Sequence, residues 1–338
     1  MARLRDVPFV LKTVGPVKFV RNIIGEVMDD DVLTMAAAMA YSWVFAIFPF
    51  LIFVISLTPL LPQKYRTLAI ENVRESIQTL PRSASDTIMI NLDAVVNNTQ
   101  GAVLSLSLVV TLWAAGGGMR ATMGALDRCY DVNKGRPFWA NWLVAMAMTL
   151  FAFFMIVLVV VLIPVGNIVV GFIDRWMRKD PITLQGWENL KWTVDLARYT
   201  IGITLLMAVV SMVYQFGPSV RRKWAFITPG AVFCVLAVLA IGWVFNLYIS
   251  RWGEASYLKT YGAIAGVVLL LMVFYIYAIV FLIGAEINSE IDFAITGAAI
   301  RAQASGDPLP KLFDSEEAAD FRKQMTRRKV IVREAQDG

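Results

Sequence analysis

Long stretches without a charged residue punctuate this chain. Asp, Glu, Lys and Arg are all absent from Val32–Gln63, Ala94–Met119, Pro137–Ile173, Tyr199–Val220, Trp224–Ser250 and Thr260–Ala285. Each stretch exceeds the ~20 residues with which an α-helix crosses the hydrocarbon core of a bilayer. Backbone groups in lipid must be satisfied internally, which leaves helices or a closed barrel. Runs such as residues 157–162 are continuously apolar and lack the alternation of a barrel strand. The pattern therefore predicts an all-α, polytopic transmembrane helical bundle of about six spans, near residues 33–61, 101–122, 138–165, 195–216, 225–250 and 262–287.

Finer periodicities fill in the segments around those spans. Val17, Val20, Ile24 and Val27 recur at helical spacing, with Lys18 and Arg21 flanking them. That pattern suits either a helix lying on a membrane surface or one packed on its own bundle. Asp29, Asp30 and Asp31 then stand at the start of span one, where carboxylates complement the helix dipole; a cation site is the alternative. Pro49 is expected to kink or break the first span. Ala36–Ala40 and Gly116-Gly117-Gly118 offer small residues, the latter allowing a helix break or a tight crossing. Span six opens on Gly262–Gly266, a GxxxG contact motif. An external helical loop is expected over 62–100, with Pro81 ending its first helix. The domain organisation expected is a segment 1–31 with an amphipathic helix, a membrane domain 32–293 and a basic tail 294–338.

Composition agrees: 58% of the 338 residues are hydrophobic and 17% charged, against the ~25% charged of soluble domains. No cleavable signal is recognised, since the first apolar run is far longer than a signal core. Placing the N-terminus in the cytoplasm puts twenty Lys and Arg on that side and ten on the other. The bias predicts both termini inside. Cys129 and Cys234 are far apart in sequence and associated with spans, so no disulfide is expected.

Candidate chemistry gathers at the inner ends of the spans. Arg120, Asp127, Arg128, Glu286, Asn288 and Glu290 are expected near the cytoplasmic interface, where ionisable groups face a cavity or a partner. Arg120 and Glu286 are one candidate pair; snorkelling and structural pairing are the alternative. Tyr41, Tyr214 and Tyr261 could line a path or serve in packing. With no histidine in the chain, histidine-held zinc and Ser–His or Cys–His nucleophiles are excluded. A carboxylate-only magnesium site would have to draw on the scattered Asp29–Asp31, Asp127, Glu286, Glu290 and Asp292. No phosphate-binding loop or dinucleotide fingerprint is present. The sequence thus offers no catalytic residue, no metal site and no cofactor.

Four stretches in order resemble the YihY/BrkB family of bacterial inner-membrane proteins: Leu33–Trp43 continuing through Phe48-Pro49-Phe50; Ala125–Tyr130 with Arg136–Trp139; Tyr214–Pro218 with Trp224 and Thr228–Ala231; and Tyr261-Gly262-Ala263 leading to Leu282–Asn288. The resemblance covers roughly residues 20–293. It implies a six-span inner-membrane protein without an agreed biochemical activity. Some members carry a legacy label as the tRNA-processing ribonuclease BN and others are called virulence factors. The expectation is a transporter or flippase-like protein for a lipid or envelope-related solute, with a non-transporting scaffold or envelope-assembly factor as the alternative. Membrane lipids are the expected partners, with anionic head groups at the basic tail around Arg327-Arg328-Lys329. Neither an enzyme nor a nucleic-acid partner is expected.

Overall fold

A computed structural model describes residues 3–56, 101–132, 135–155, 158, 184–220, 225, 227–248 and 257–305. The expected external loop 62–100 and the tail beyond residue 305 lie outside these residues. Among the described residues there is no strand. Two short helices come first, α1 (Val7–Val14) and α2 (Pro16–Asp29). Six longer ones follow: α3 (Val32–Ser56), α4 (Gly101–Cys129), α5 (Phe138–Met155), α6 (Leu184–Phe216), α7 (Pro229–Tyr248) and α8 (Tyr257–Ser305). Helices α3 to α8 correspond one to one with the six expected spans. Among the described residues, α5, α6, α7 and α8 are long and apolar enough to cross a membrane on their own, and the bent pair α2–α3 makes a fifth candidate. Large apolar side chains on the outside of the bundle, such as Trp113, Leu143, Leu236 and Trp243, are more than half exposed. A surface of that kind is tolerated against lipid rather than water.

Pro49 does not break α3, which stays helical to Ser56. The three glycines likewise leave α4 continuous, and they work as a crossing point. A Cβ on Gly118 would meet Trp43 of α3 at 3.2 Å, and one on Gly116 would meet Met146 of α5 at 2.9 Å. Helix α4 ends in a Schellman turn: Asp131, at φ 49°, donates its N–H to the Arg128 carbonyl, and Val132 donates to the Asp127 carbonyl. Asp31, at φ 54°, makes the bend of 61° between α2 and α3. Aspartate is among the few residues other than glycine that enter this left-handed region readily.

Helix α8 runs well past the expected end of span six and of the membrane domain. Its apolar part, Val267–Ala302, has 36 residues and so rises about 54 Å, where the hydrocarbon core is ~30 Å thick. The surplus is used: α1 and α2 pack on it, with Val10, Phe19 and Ile291 forming a small buried cluster. Of the two readings of residues 17–28, packing on the bundle is the one the structure shows, with the opposite face of α2 left open. Phe19 and Ile23 face α8, while Val17, Val20 and Ile24 stay exposed beside the exposed Lys18 and Arg21. Val27 departs from that stripe and packs on the main core.

Candidate functional site

Two regions of the bundle concentrate chemistry. The first lies where α2, α3, α4 and α8 converge. Glu286 and Cys129 are 1% and 4% exposed, and one carboxylate oxygen of Asp30, one of Glu286 and the Cys129 Sγ all lie within 4.8 Å of one another. Ser289 Oγ donates to Glu286 Oε2 at 3.3 Å. Glu286 Oε1 is buried without a hydrogen-bond partner. Further carboxylates surround the group. Burial and the repulsion of Asp131 push the Asp30 carboxyl above its usual range. Burial, then Asp131 and Asp30, do the same to Glu26. Glu290 accepts a hydrogen bond from Asn22 Nδ2 at 2.7 Å, which ties α2 to α8.

The candidate pairing of Arg120 with Glu286 is not formed. No salt bridge or hydrogen bond joins them among the described residues, and the Arg120 Nε is buried without a partner. The physical reason is axial position. Glu286 sits level with Cys129 at the end of α4, and nine residues of helix from Arg120 to Cys129 rise about 13 Å. Sequence reasoning overlooked Cys129 and did not link Asp30 to Glu286, because three separate elements deliver these side chains.

Several other candidate residues hold the backbone together. Asp127 accepts from Ser219 N–H and, at 2.8 Å, from Ser219 Oγ. Arg136 donates from one guanidinium nitrogen to the Phe216 and Gly217 carbonyls at 2.8 and 3.1 Å and from the other to the Pro218 carbonyl at 2.8 Å. Together they clamp the turn after α6. A Cβ on Gly217 would collide with the Val213 carbonyl and Leu126. Asn288 accepts from Gly230 N–H at 2.9 Å and donates to Thr228 Oγ1 at 3.1 Å. Thr228 in turn caps α7 by accepting from Ala231 N–H at 3.2 Å, with Pro229 at the first helical position, where its missing N–H costs nothing. Here α7 and α8 touch backbone to backbone: a Cβ on Gly284 would strike Tyr214 Oη and, at 2.7 Å, the Gly230 carbonyl. Tyr214 is fully buried and donates to the Phe281 carbonyl at 2.6 Å. Tyr41 instead points outward, 59% exposed and stacked on Phe45. Arg128 is exposed at the end of α4. Tyr261 lies in the opening turns of α8, its side chain outside the described ones.

The second region is a half-open apolar cavity of about 490 Å³ in the side of the bundle, lined from α3, α4, α5, α6 and α8 by residues that include Trp43, Met119, Phe153, Val210 and Phe281. That volume is within the ~300–1,000 Å³ of ligand pockets. Hydroxyls in spanning helices usually return to the carbonyl one turn back. Ser42, Thr122, Thr200 and Thr204 all do so here. Thr111 and Thr149, which line the cavity, do not, and their Oγ1 atoms are buried without partners. Trp43 Nε1 donates to Thr122 Oγ1 at 3.2 Å at the cavity wall. A packed layer that includes Met39, Met123, Leu126 and Leu282, each no more than 1% exposed, lies in sequence between the residues of the cavity and those of the acidic cluster.

Comparison with known proteins bears on both regions. The family model described as virulence factor BrkB matches residues 23–306. The ribonuclease-like protein YfkH of Bacillus subtilis is 31% identical over 256 residues, covering 75% of this chain and 88% of that protein. Two UPF0761 membrane proteins of Stenotrophomonas maltophilia, from strains R551-3 and K279a, are 23% and 22% identical over 303 residues. The match takes in 88% of this chain but only 65% of each of those proteins. No solved structure matches. The matched region takes in the acidic cluster, the glycine contact of α7 with α8 and the whole cavity lining, and the chain belongs to the BrkB (YihY/BrkB) family of multi-pass membrane proteins.

Proposed function

We propose that this protein is a transporter or flippase-like protein of the bacterial inner membrane, moving a lipid or envelope-related solute, with both termini in the cytoplasm. The observation that carries this reading is the apolar cavity with its two unpartnered threonine hydroxyls. A folded bundle that needed only to be solid would close such a space, since each lost packing contact costs stability. An acyl or isoprenoid chain would fill the apolar wall, and Thr111 and Thr149, whose hydroxyls are closed off in the resting bundle, would turn toward it to bond an ester or other linkage oxygen. Preference for an apolar ligand with few polar contacts is what such a lining selects. The orientation follows from the excess of Lys and Arg in the segments assigned to the cytoplasm.

Nuclease activity is not part of this proposal, although one relative's name mentions a ribonuclease. The chain has no histidine, and Cys129 and Glu286 are too deeply buried to meet a polynucleotide. Purified protein is expected to leave tRNA intact with zinc or magnesium added. Reporter fusions after residues 130 and 180 are expected to read inside and outside; a cytoplasmic reading at 180 overturns the topology. Transport is tested in proteoliposomes carrying a fluorescent phospholipid, whose movement between leaflets is followed by quenching from outside. Wild type should speed that movement, and Ala115→Leu, which fills the cavity, should abolish the gain while the protein still folds. Equal rates in empty and loaded vesicles, across a panel of lipids and undecaprenyl-type carriers, would reject the reading.

A further inference from the structure

We propose that Asp30, Cys129 and Glu286 form a binding site for a borderline divalent cation of the zinc class, which fastens the α2–α3 junction to the ends of α4 and α8. Three ligand atoms already lie within 4.8 Å of one another, so small movements of side chains bring them to the ~2.0–2.3 Å metal–ligand distances of a zinc site. Three protein ligands with a fourth position left for water is a recurrent zinc arrangement.

The choice of ion follows from the donors. A sulfur ligand is poor for magnesium or calcium, which take oxygen shells of six or more. Thiolate with carboxylate suits zinc and its neighbours. The second observation is the Glu286 Oε1, buried with no hydrogen-bond partner. An unsatisfied carboxylate oxygen at that depth is costly unless a cation or a proton meets it. The local field points the same way: Asp131 and Asp29 both add repulsion at Asp30, with Arg128 the opposing cation. Cys129 has no disulfide. On binding, the Cys129 thiol gives its proton to water as the metal–sulfur bond forms, so uptake weakens as pH falls. Of Asp29 to Asp31, for which a cation site is the alternative to capping in the sequence, only Asp30 supplies a ligand atom.

The test uses the full-length chain, purified in detergent and stripped with a chelator, and it does not depend on any transport assay. Cobalt(II) is titrated as the probe and zinc is then added to displace it. Wild type and Cys234→Ala should each take up one ion per chain with a thiolate-to-cobalt charge-transfer band, and bound zinc should shield Cys129 from alkylation. Cys129→Ser should lose the band. Glu286→Gln and Asp30→Asn should weaken binding by more than the ~10–100-fold that an outer-shell partner costs. Because a variant could misfold, the wild-type titration decides alone: folded protein that binds no cobalt, or that binds an adventitious ion only, without the thiolate band, overturns the proposal.

Discussion

The apolar cavity and the acidic end of the bundle are near neighbours along α4, yet they are built on opposite rules. From Thr122 to Cys129 is seven residues, about 10 Å of helix. On the acidic side, space is used up. Gly230 meets Gly284 backbone to backbone, and Asp127, Arg136 and Asn288 spend their hydrogen bonds on loop and helix-end amides. On the cavity side, space is left over and two hydroxyls lack partners. The contrast shows where a membrane bundle is fixed and where it is free to hold something. The polar residues that look most functional in the sequence are, for the most part, the rivets of the solid end. The hollow is walled by residues that look like ordinary span.

That contrast is open to breakage at both ends. The largest effect is expected at the close contact of α7 with α8. Gly284→Ala places a methyl against Tyr214 Oη, the tip of a fully buried and hydrogen-bonded ring, and against the Gly230 backbone carbonyl. Overpacking of this kind costs about 1–3 kcal/mol or more, and thermal melting in detergent should show a large drop. A melt equal to wild type would mean that the two helices are not in contact. Next come the clamps. Arg136→Ala releases three carbonyls and should destabilise by roughly 1.5–3 kcal/mol, as hydrogen bonds to charged groups do, whereas a role in a substrate path predicts normal melting with lost activity.

Changes in the cavity should be far milder. Thr111→Val and Thr149→Val remove hydroxyls that have no partner, so stability should stay within about 1 kcal/mol of wild type or rise, while lipid movement falls. A strong loss of stability would show that these hydroxyls are bonded and the space filled. The smallest effect is electrostatic. Glu26, raised above its ordinary 4.5 by burial and then by Asp131 and Asp30, binds more protons folded than unfolded. Its contribution therefore falls as pH rises from about 4.5 through its folded value. Glu26→Gln in chelated protein should flatten that slope in melts taken from acid to neutral pH. An unchanged slope would place the residue outside the repulsive cluster.

The sequence made the spans legible because charge-free runs are long and unambiguous, and the resemblance marked Asp127, Gly217, Thr228 and Gly284 as special without telling what they do. Their role depends on pairings between α4, α6, α7 and α8 that no local spacing encodes. The threonine–proline cap of α7 was a readable signal, as Thr228-Pro229 is ordinary N-terminal helix chemistry. The length of α8 was not, because Glu286, Glu290 and Asp292 end the charge-free run without ending the helix. Arg120 and Glu286 are a candidate pair in the sequence as charges at span ends, and axial position defeats that match. Asp30, Cys129 and Glu286 carry no common motif, and only the convergence of four helices brings them together.

The account turns on whether the cavity holds lipid. A phospholipid with a photoactivatable acyl chain, irradiated in proteoliposomes with the full-length protein, reads this out when the labelled peptides are mapped by mass spectrometry. The account predicts labelling of cavity residues such as Met119, Phe153 and Phe281, reduced by Ala115→Leu and competed by unlabelled lipid. Labelling confined to outward-facing residues such as Leu106, Trp113 and Trp243, with the cavity lining untouched, would contradict it.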